Sequence, residues 1–105
     1  ILVPIPVHSY PHLRPQVIVC RVLGNERRLF LLFYLEYHEA DETDLARMLG
    51  IARASVSKHL HLMLRFGLLC SERRGGSVYF TMHNDFRSIW QEWKKLFAKE
   101  AKRRK

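Results

Sequence analysis

Apolar residues recur at helical spacing along most of the chain, and one stretch alone interrupts that period. Ahead of the first regular stretch, residues 1–15 hold all four prolines, Pro4, Pro6, Pro11 and Pro15. Proline lacks an N–H and pushes its predecessor toward extended geometry, so this segment is predicted to be a non-helical arm. From Gln16, "QVIVCRVL" is a short apolar run that reads as helix or strand. "GNERRLFLLFYLEYHE" reads as a longer helix, with Asn25 as its cap and Glu26 at the positive end of its dipole. Its apolar residues, Leu29, Leu32, Phe33 and Leu35 among them, cover most of the circumference, as in a central core helix. In "ADETDLARMLG", Asp41 and Asp44 have capping-box spacing, Leu45, Met48 and Leu49 form an inward face, and Gly50 marks the stop. The next helix, from Arg53 to Phe66, carries an apolar stripe of Val56, Leu60, Met63 and Leu64. Two short helices across a glycine-containing turn form a helix-turn-helix.

After Gly67 the alternation becomes strand-like. Leu68 to Arg73 and Ser77 to Met82 flank Gly75-Gly76, and a Gly-Gly pair between β-prone runs marks a hairpin. The last stretch, capped by Asn84, is predicted to be a helix with an aromatic stripe of Phe86, Ile89, Trp90, Trp93, Leu96 and Phe97. The predicted architecture is mainly α with one small β-hairpin. It divides into an arm (1–15), a domain (16–98) and a basic tail (99–105), without repeats or low-complexity segments.

Charge sharpens this picture. The net charge is +8 over 105 residues, which favours a polyanionic partner, with nucleic acid ahead of an anionic membrane surface. The stretch Gly50 to Leu69 contains no acid. The side of its helix away from the apolar stripe offers Arg53, Ser55, Ser57, Lys58 and His61, as a surface lying in a major groove would. Arg53, near the helix start, is the candidate base reader, because arginine pairs bidentately with guanine O6 and N7. Ser55, Ser57, Lys58 and His61 are candidate phosphate or water-mediated contacts. Arg73, Arg74 and Gly75 at the hairpin tip are candidates for the minor groove or the backbone.

The order helix, core helix, helix-turn-helix, hairpin, final helix resembles the winged-helix regulators of the ArsR type. "LGNERRLFLL" is similar to that family's "LG[DN]xxRLxIL", with Arg28 at the arginine. "DLARMLGIARASVSKHLHLMLRFGLL" resembles "[DE]LAxxLGxSxxxVSxHLxxLxxAGLV" at Leu45, Ala46, Leu49, Gly50, Val56, Ser57, His59, Leu60, Gly67 and Leu68, without a gap. "RRGGSVYF" is similar to the wing "RxGxxVYY". The resemblance covers about residues 17–97. It implies a winged helix-turn-helix that dimerises through its terminal helices, a homodimer on a palindromic duplex-DNA site, and repression of transcription. It also places His59 at the rim of the core.

One small domain has little room for the whole aromatic stripe. Val17, Ile18, Phe86, Ile89, Trp90, Trp93 and Phe97 are therefore expected at the dimer interface. The chain departs from the family at Ala52, where a Ser or Thr often caps the recognition helix. Nor are the family's metal-ligand positions filled: residues 39–46 contain no cysteine, and no histidine follows Asn84. No metal or other cofactor is expected, and no small-molecule substrate is evident. Asp41, Glu42 and Asp44 read as a solvated cap, and Pro11 separates His8 from His12. Cys20 and Cys70 fit neither a zinc ribbon nor a disulfide scaffold; they read as two unlinked, partly buried thiols, with a redox pair as the alternative.

Catalysis finds no support, since there is no nucleophile elbow, HExxH or Walker loop. The prolines in "ILVPIPV" and the lack of a basic segment make it a poor signal peptide, and no run approaches the ~20 apolar residues of a membrane span. A chain beginning at Ile1 reads as a trimmed product or part of a longer one. An intracellular, cytoplasmic setting is expected, on the nucleoid when bound to DNA. Three alternatives stay open. One is an architectural protein that coats DNA with little sequence preference, another is a winged helix given over to protein interaction, and a third is a redox or metal switch, which needs Cys20 and Cys70 close together or a metal in the purified protein.

Overall fold

The computed structural model describes residues 2–6 and 13–103. It contains helices α1 (Leu13–Leu23), α2 (Glu26–Leu35), α3 (Glu42–Leu49) and α4 (Arg53–Arg65), strands β1 (Leu69–Arg74) and β2 (Ser77–Met82), and helix α5 (Asn84–Arg103).

Residues 2–6 have no regular structure, but α1 begins inside the segment expected to be non-helical. Pro15 lies in its first turn, where an N–H would have no intrahelical partner, so the ring is tolerated there. "QVIVCRVL" thus resolves to helix. Asn25 caps α2 by accepting from Arg28 N at 3.1 Å, and Asp41 caps α3 by accepting from Asp44 N at 2.9 Å. Gly50 ends α3 at φ 67, a left-handed conformation that glycine adopts without a Cβ penalty. The cap before α5 differs from expectation. His83 Nδ1 accepts from Asp85 N at 3.0 Å, while the Asn84 side chain accepts from Arg87 Nε.

The strands pair antiparallel from Leu69 opposite Met82 to Arg74 opposite Ser77. Gly75 makes the turn at φ 60, the positive φ that the first central residue of a type II′ hairpin needs. Ala40 bridges to Phe80 through two backbone hydrogen bonds of 2.9 and 3.3 Å. This pins the hairpin against the loop that enters the helix-turn-helix.

The core collects Leu31, Leu32 and Leu35 of α2, Leu45 of α3, Val56, Leu60 and Met63 of α4, and Leu69, Phe80 and Met82 of the hairpin. Full burial of each such side chain contributes about 1.5–3 kcal/mol. Three apolar residues of these helices fall elsewhere. Phe30 and Phe33 of α2 and Met48 of α3 are exposed, because the helices present only one side to the core. The aromatic stripe of α5 is also divided. Trp90 is fully buried by its own chain and has no surface to offer a dimer interface, which corrects its assignment there, whereas Phe86, though largely buried, lines a groove between α1 and α5; Ile89, Leu96 and Phe97 remain exposed and Trp93 is half-buried.

What fixes α5 is a buried carboxylate. Glu36 is 2% exposed and lies just past α2. Its carboxylate accepts from Trp90 Nε1 at 3.1 Å, Gln91 Nε2 at 2.5 Å and Lys94 Nζ at 2.7 Å, and its carbonyl accepts from Arg87. Burial alone raises the Glu36 pKa, but the Lys94 and Trp90 hydrogen bonds and the Lys94 charge outweigh it and hold the carboxyl below its ordinary value.

Candidate nucleic-acid interface

The reading surface starts with a helix that has no side-chain cap. Ala52 precedes α4 in extended geometry (φ −62, ψ 143) and offers no oxygen to the first turn. The outward N–H groups and positive dipole end at that terminus suit an anion. Along α4, Ala54, Lys58, His61 and Arg65 are exposed and follow i, i+4, i+7, i+11 spacing, so they share one outer face. Arg53 is exposed at its N-terminal end, and Ser55 and Ser57 are half-buried beside it. Arg65 was not among the sequence candidates; its spacing from Lys58 and His61 was the signal that could have found it.

Behind this face, Arg28 ties three helices together. Its Nε donates to the carbonyl of Val22, Nη2 donates to Arg21 O at 3.2 Å, and Nη1 lies 3.2 Å from His59 Nδ1. Burial, then the charges of Arg28 and Arg27, hold His59 below the ordinary histidine pKa. His59 is thereby a neutral structural link between α1, α2 and α4, on the opposite side from Lys58 and His61.

The face is not free of acid once the chain folds. Glu42, the first residue of α3, places Oε2 3.2 Å from Arg53 Nε and Oε1 3.8 Å from His61 Nε2. At the wing, Arg74 is paired with Glu39 at 2.5 Å and lies over the Tyr79 ring at 4.4 Å. The hydrogen bond it donates to Glu39 chiefly holds its pKa above the usual arginine value. Arg73, the neighbour on the opposite face of the strand, lines a polar cleft of about 290 Å³ with Asp41, Glu42, Arg53 and Ser77. Arg53 and Arg73 therefore border one cleft, and Arg74 is drawn to its own acid.

A second surface lies at the other end. Between α1 and α5 runs an apolar groove of about 710 Å³, lined by Val19, Cys20, Leu23, Phe66, Ile89 and Trp93 among others. Val17 is exposed and Ile18 half-buried on α1 beside it. Cys20 and Cys70 are both free and exposed, not partly buried. Among the described residues no group of three or more His, Cys, Asp or Glu is placed to hold a metal ion. His8 and His12 lie outside the described residues. No described helix is long and apolar enough to cross a membrane.

No family model matches the chain. A curated relative, the transcriptional activator HlyU of Vibrio cholerae, is 29% identical over 66 residues, 63% of this chain and 61% of its own length. The chain thus aligns with about three-fifths of that relative. The solved structure of reduced HlyU from V. cholerae superposes with a TM-score of 0.70 at 22% identity, covering 86% of this chain and 96% of that one. NolR of Sinorhizobium fredii gives 0.77 at 18% identity, over 91% and 97%. A homodimeric winged helix-turn-helix DNA-binding domain from Mycobacterium bovis gives 0.74 at 21% identity, over 94% and 92%. Five helices with a two-stranded antiparallel wing, in this order and superposing on these proteins, give the chain the winged helix-turn-helix fold of ArsR-type transcriptional regulators.

Proposed function

We propose that the chain is a sequence-specific duplex-DNA-binding regulator of transcription that acts as a homodimer on a site with inverted symmetry. The observation that carries this reading is the outer face of α4, where Arg53, Lys58, His61 and Arg65 stand exposed on a helix without an acid, flanked by a wing bearing Arg73 and Arg74. Phosphate contacts by Lys58, His61, Ser55, Ser57, Arg74 and the Gly75 turn position the protein, and Arg53 reads a base edge.

The dimer reading is supported by the apolar groove and by Val17, Ile18, Ile89, Trp93 and Phe97, whose exposure in one copy costs hydrophobic free energy. The M. bovis neighbour is itself homodimeric. Two copies related by a two-fold axis would present their recognition helices to successive major grooves roughly 34 Å apart.

Repression is our reading of the outcome, since a dimer seated on a promoter blocks it by occupancy alone. A curated relative is named an activator, which favours the opposite outcome as a second reading. Selection from random DNA, followed by a reporter carrying the selected site, tests both steps. Enrichment of an inverted repeat with lowered expression supports the proposal, and raised expression supports activation. Binding without enrichment would assign the chain an architectural role, and no binding would leave protein interaction.

A further inference from the structure

The recognition helix has no acid of its own, yet the fold delivers one to it. Glu42 comes from the first turn of α3, its side chain 18% exposed, while the Arg53 side chain it holds is 68% exposed. An ion pair with so open a partner adds little to stability, because water and salt screen it. The contact is also one-sided. Glu42 Oε2 takes the Nε edge of the Arg53 guanidinium, and the two Nη groups have no hydrogen-bond partner among the described residues. That leaves the end-on fork, the edge that matches guanine O6 and N7, without a partner among the described residues on a side chain 68% exposed. The same carboxylate lies 3.8 Å from His61, two helical turns further on, so one acid borders two positions of the reading face.

We propose that Glu42 is a positioning residue that sets sequence specificity, an inference that rests on the DNA-binding reading above. It holds Arg53 by Nε so that the Nη fork meets a base edge, and its negative charge keeps phosphate from capturing the same guanidinium. Without it, Arg53 swings to the backbone, and the protein binds DNA more tightly and less selectively. Specificity is a difference of affinities, and an element that repels the wrong contact raises it as surely as one that attracts the right contact.

The test titrates wild type, Glu42→Ala, Glu42→Gln, Arg53→Ala and the double variant Glu42→Ala/Arg53→Ala. The probes are a duplex selected by the wild type from random DNA and a scrambled duplex of the same composition, at several salt concentrations. Glu42→Ala should raise affinity for the scrambled duplex and cut the selected-to-scrambled ratio by about tenfold, within the range a bidentate base contact supplies. Its salt slope on scrambled DNA should steepen by up to about 0.9, one added phosphate contact. Glu42→Gln, which removes the charge but keeps an acceptor for Nε, should raise scrambled binding and keep more of the ratio. In the Arg53→Ala background, Glu42→Ala should leave the ratio unchanged, since the guanidinium it aims is gone. An equal effect of Glu42→Ala with and without Arg53, or an unchanged ratio, overturns the inference and leaves the DNA-binding reading standing. A wild type that selects no sequence overturns both.

Discussion

The two ends of this molecule are exposed in opposite chemistry. At the helix-turn-helix and wing, charged side chains reach solvent, and two of them are already paired with acids of the same chain: Arg53 with Glu42 and Arg74 with Glu39. At the α1–α5 end large apolar side chains reach solvent as well, with Ile89 61% and Leu96 58% exposed beside an apolar groove. A polar surface holds its own in water until a better-placed anion displaces the internal one. An apolar surface gains only by losing water, so its natural complement is another apolar surface. On the proposed function, the first end suits a reversible, salt-sensitive ligand and the second a partner that stays.

The contrast can be broken hardest at the hinge between the ends. Trp90→Ala should destabilise the fold by about 3–5 kcal/mol in chemical unfolding, because it opens a cavity under α5 and removes a donor from buried Glu36. Lys94→Met should cost roughly 3 kcal/mol, since it leaves Glu36 buried without its cation. The pH dependence shares that origin. A folded-state pKa held below the unfolded value contributes stability that is present above the unfolded pKa and lost as pH falls through the folded one. An acid-unfolding limb that extends below the ordinary carboxylate range, and shrinks in Glu36→Gln, would confirm Glu36 as its source.

The apolar end can be broken without harming the fold. Ile89→Asp replaces an exposed residue, so unfolding should hardly change, while sedimentation should shift from dimer to monomer. DNA affinity should then fall at least a hundredfold with the loss of the second reading head. A dimer that survives this change would place the interface elsewhere. At the polar end the effects are smaller. Arg53→Ala should cost about 1–3 kcal/mol on the selected duplex and relax preference at one base pair in each half-site. Lys58→Ala and Arg74→Ala should weaken selected and scrambled duplexes alike and flatten the salt slope. Arg74 should have the lesser effect, because its release from Glu39 offsets part of what the phosphate contact contributes.

Local signals in the chain fixed the caps at Asn25 and Asp41, the glycine stop at Gly50, the hairpin at Gly75-Gly76 and the buried stripe Val56, Leu60, Met63. Each depends on residues within a turn or two, where spacing and backbone preference act directly. Helix α1 from Leu13 was hidden because a proline reads as a breaker unless its place in the first turn is known. What tertiary structure alone decided are pairings across long separations. Nothing in "FYLEYHE" marks Glu36 as the buried acid, because its partners Trp90, Gln91 and Lys94 lie 54 to 58 residues away. The acid on the reading face comes from another helix for the same reason, Glu42 meeting Arg53 across 11 residues and a turn. Periodicity tells which side of a helix is apolar. Only packing tells how much of that side its own chain covers, which is why Phe86 and Trp90 ended in the core while Ile89 and Phe97 of the same stripe stayed in water.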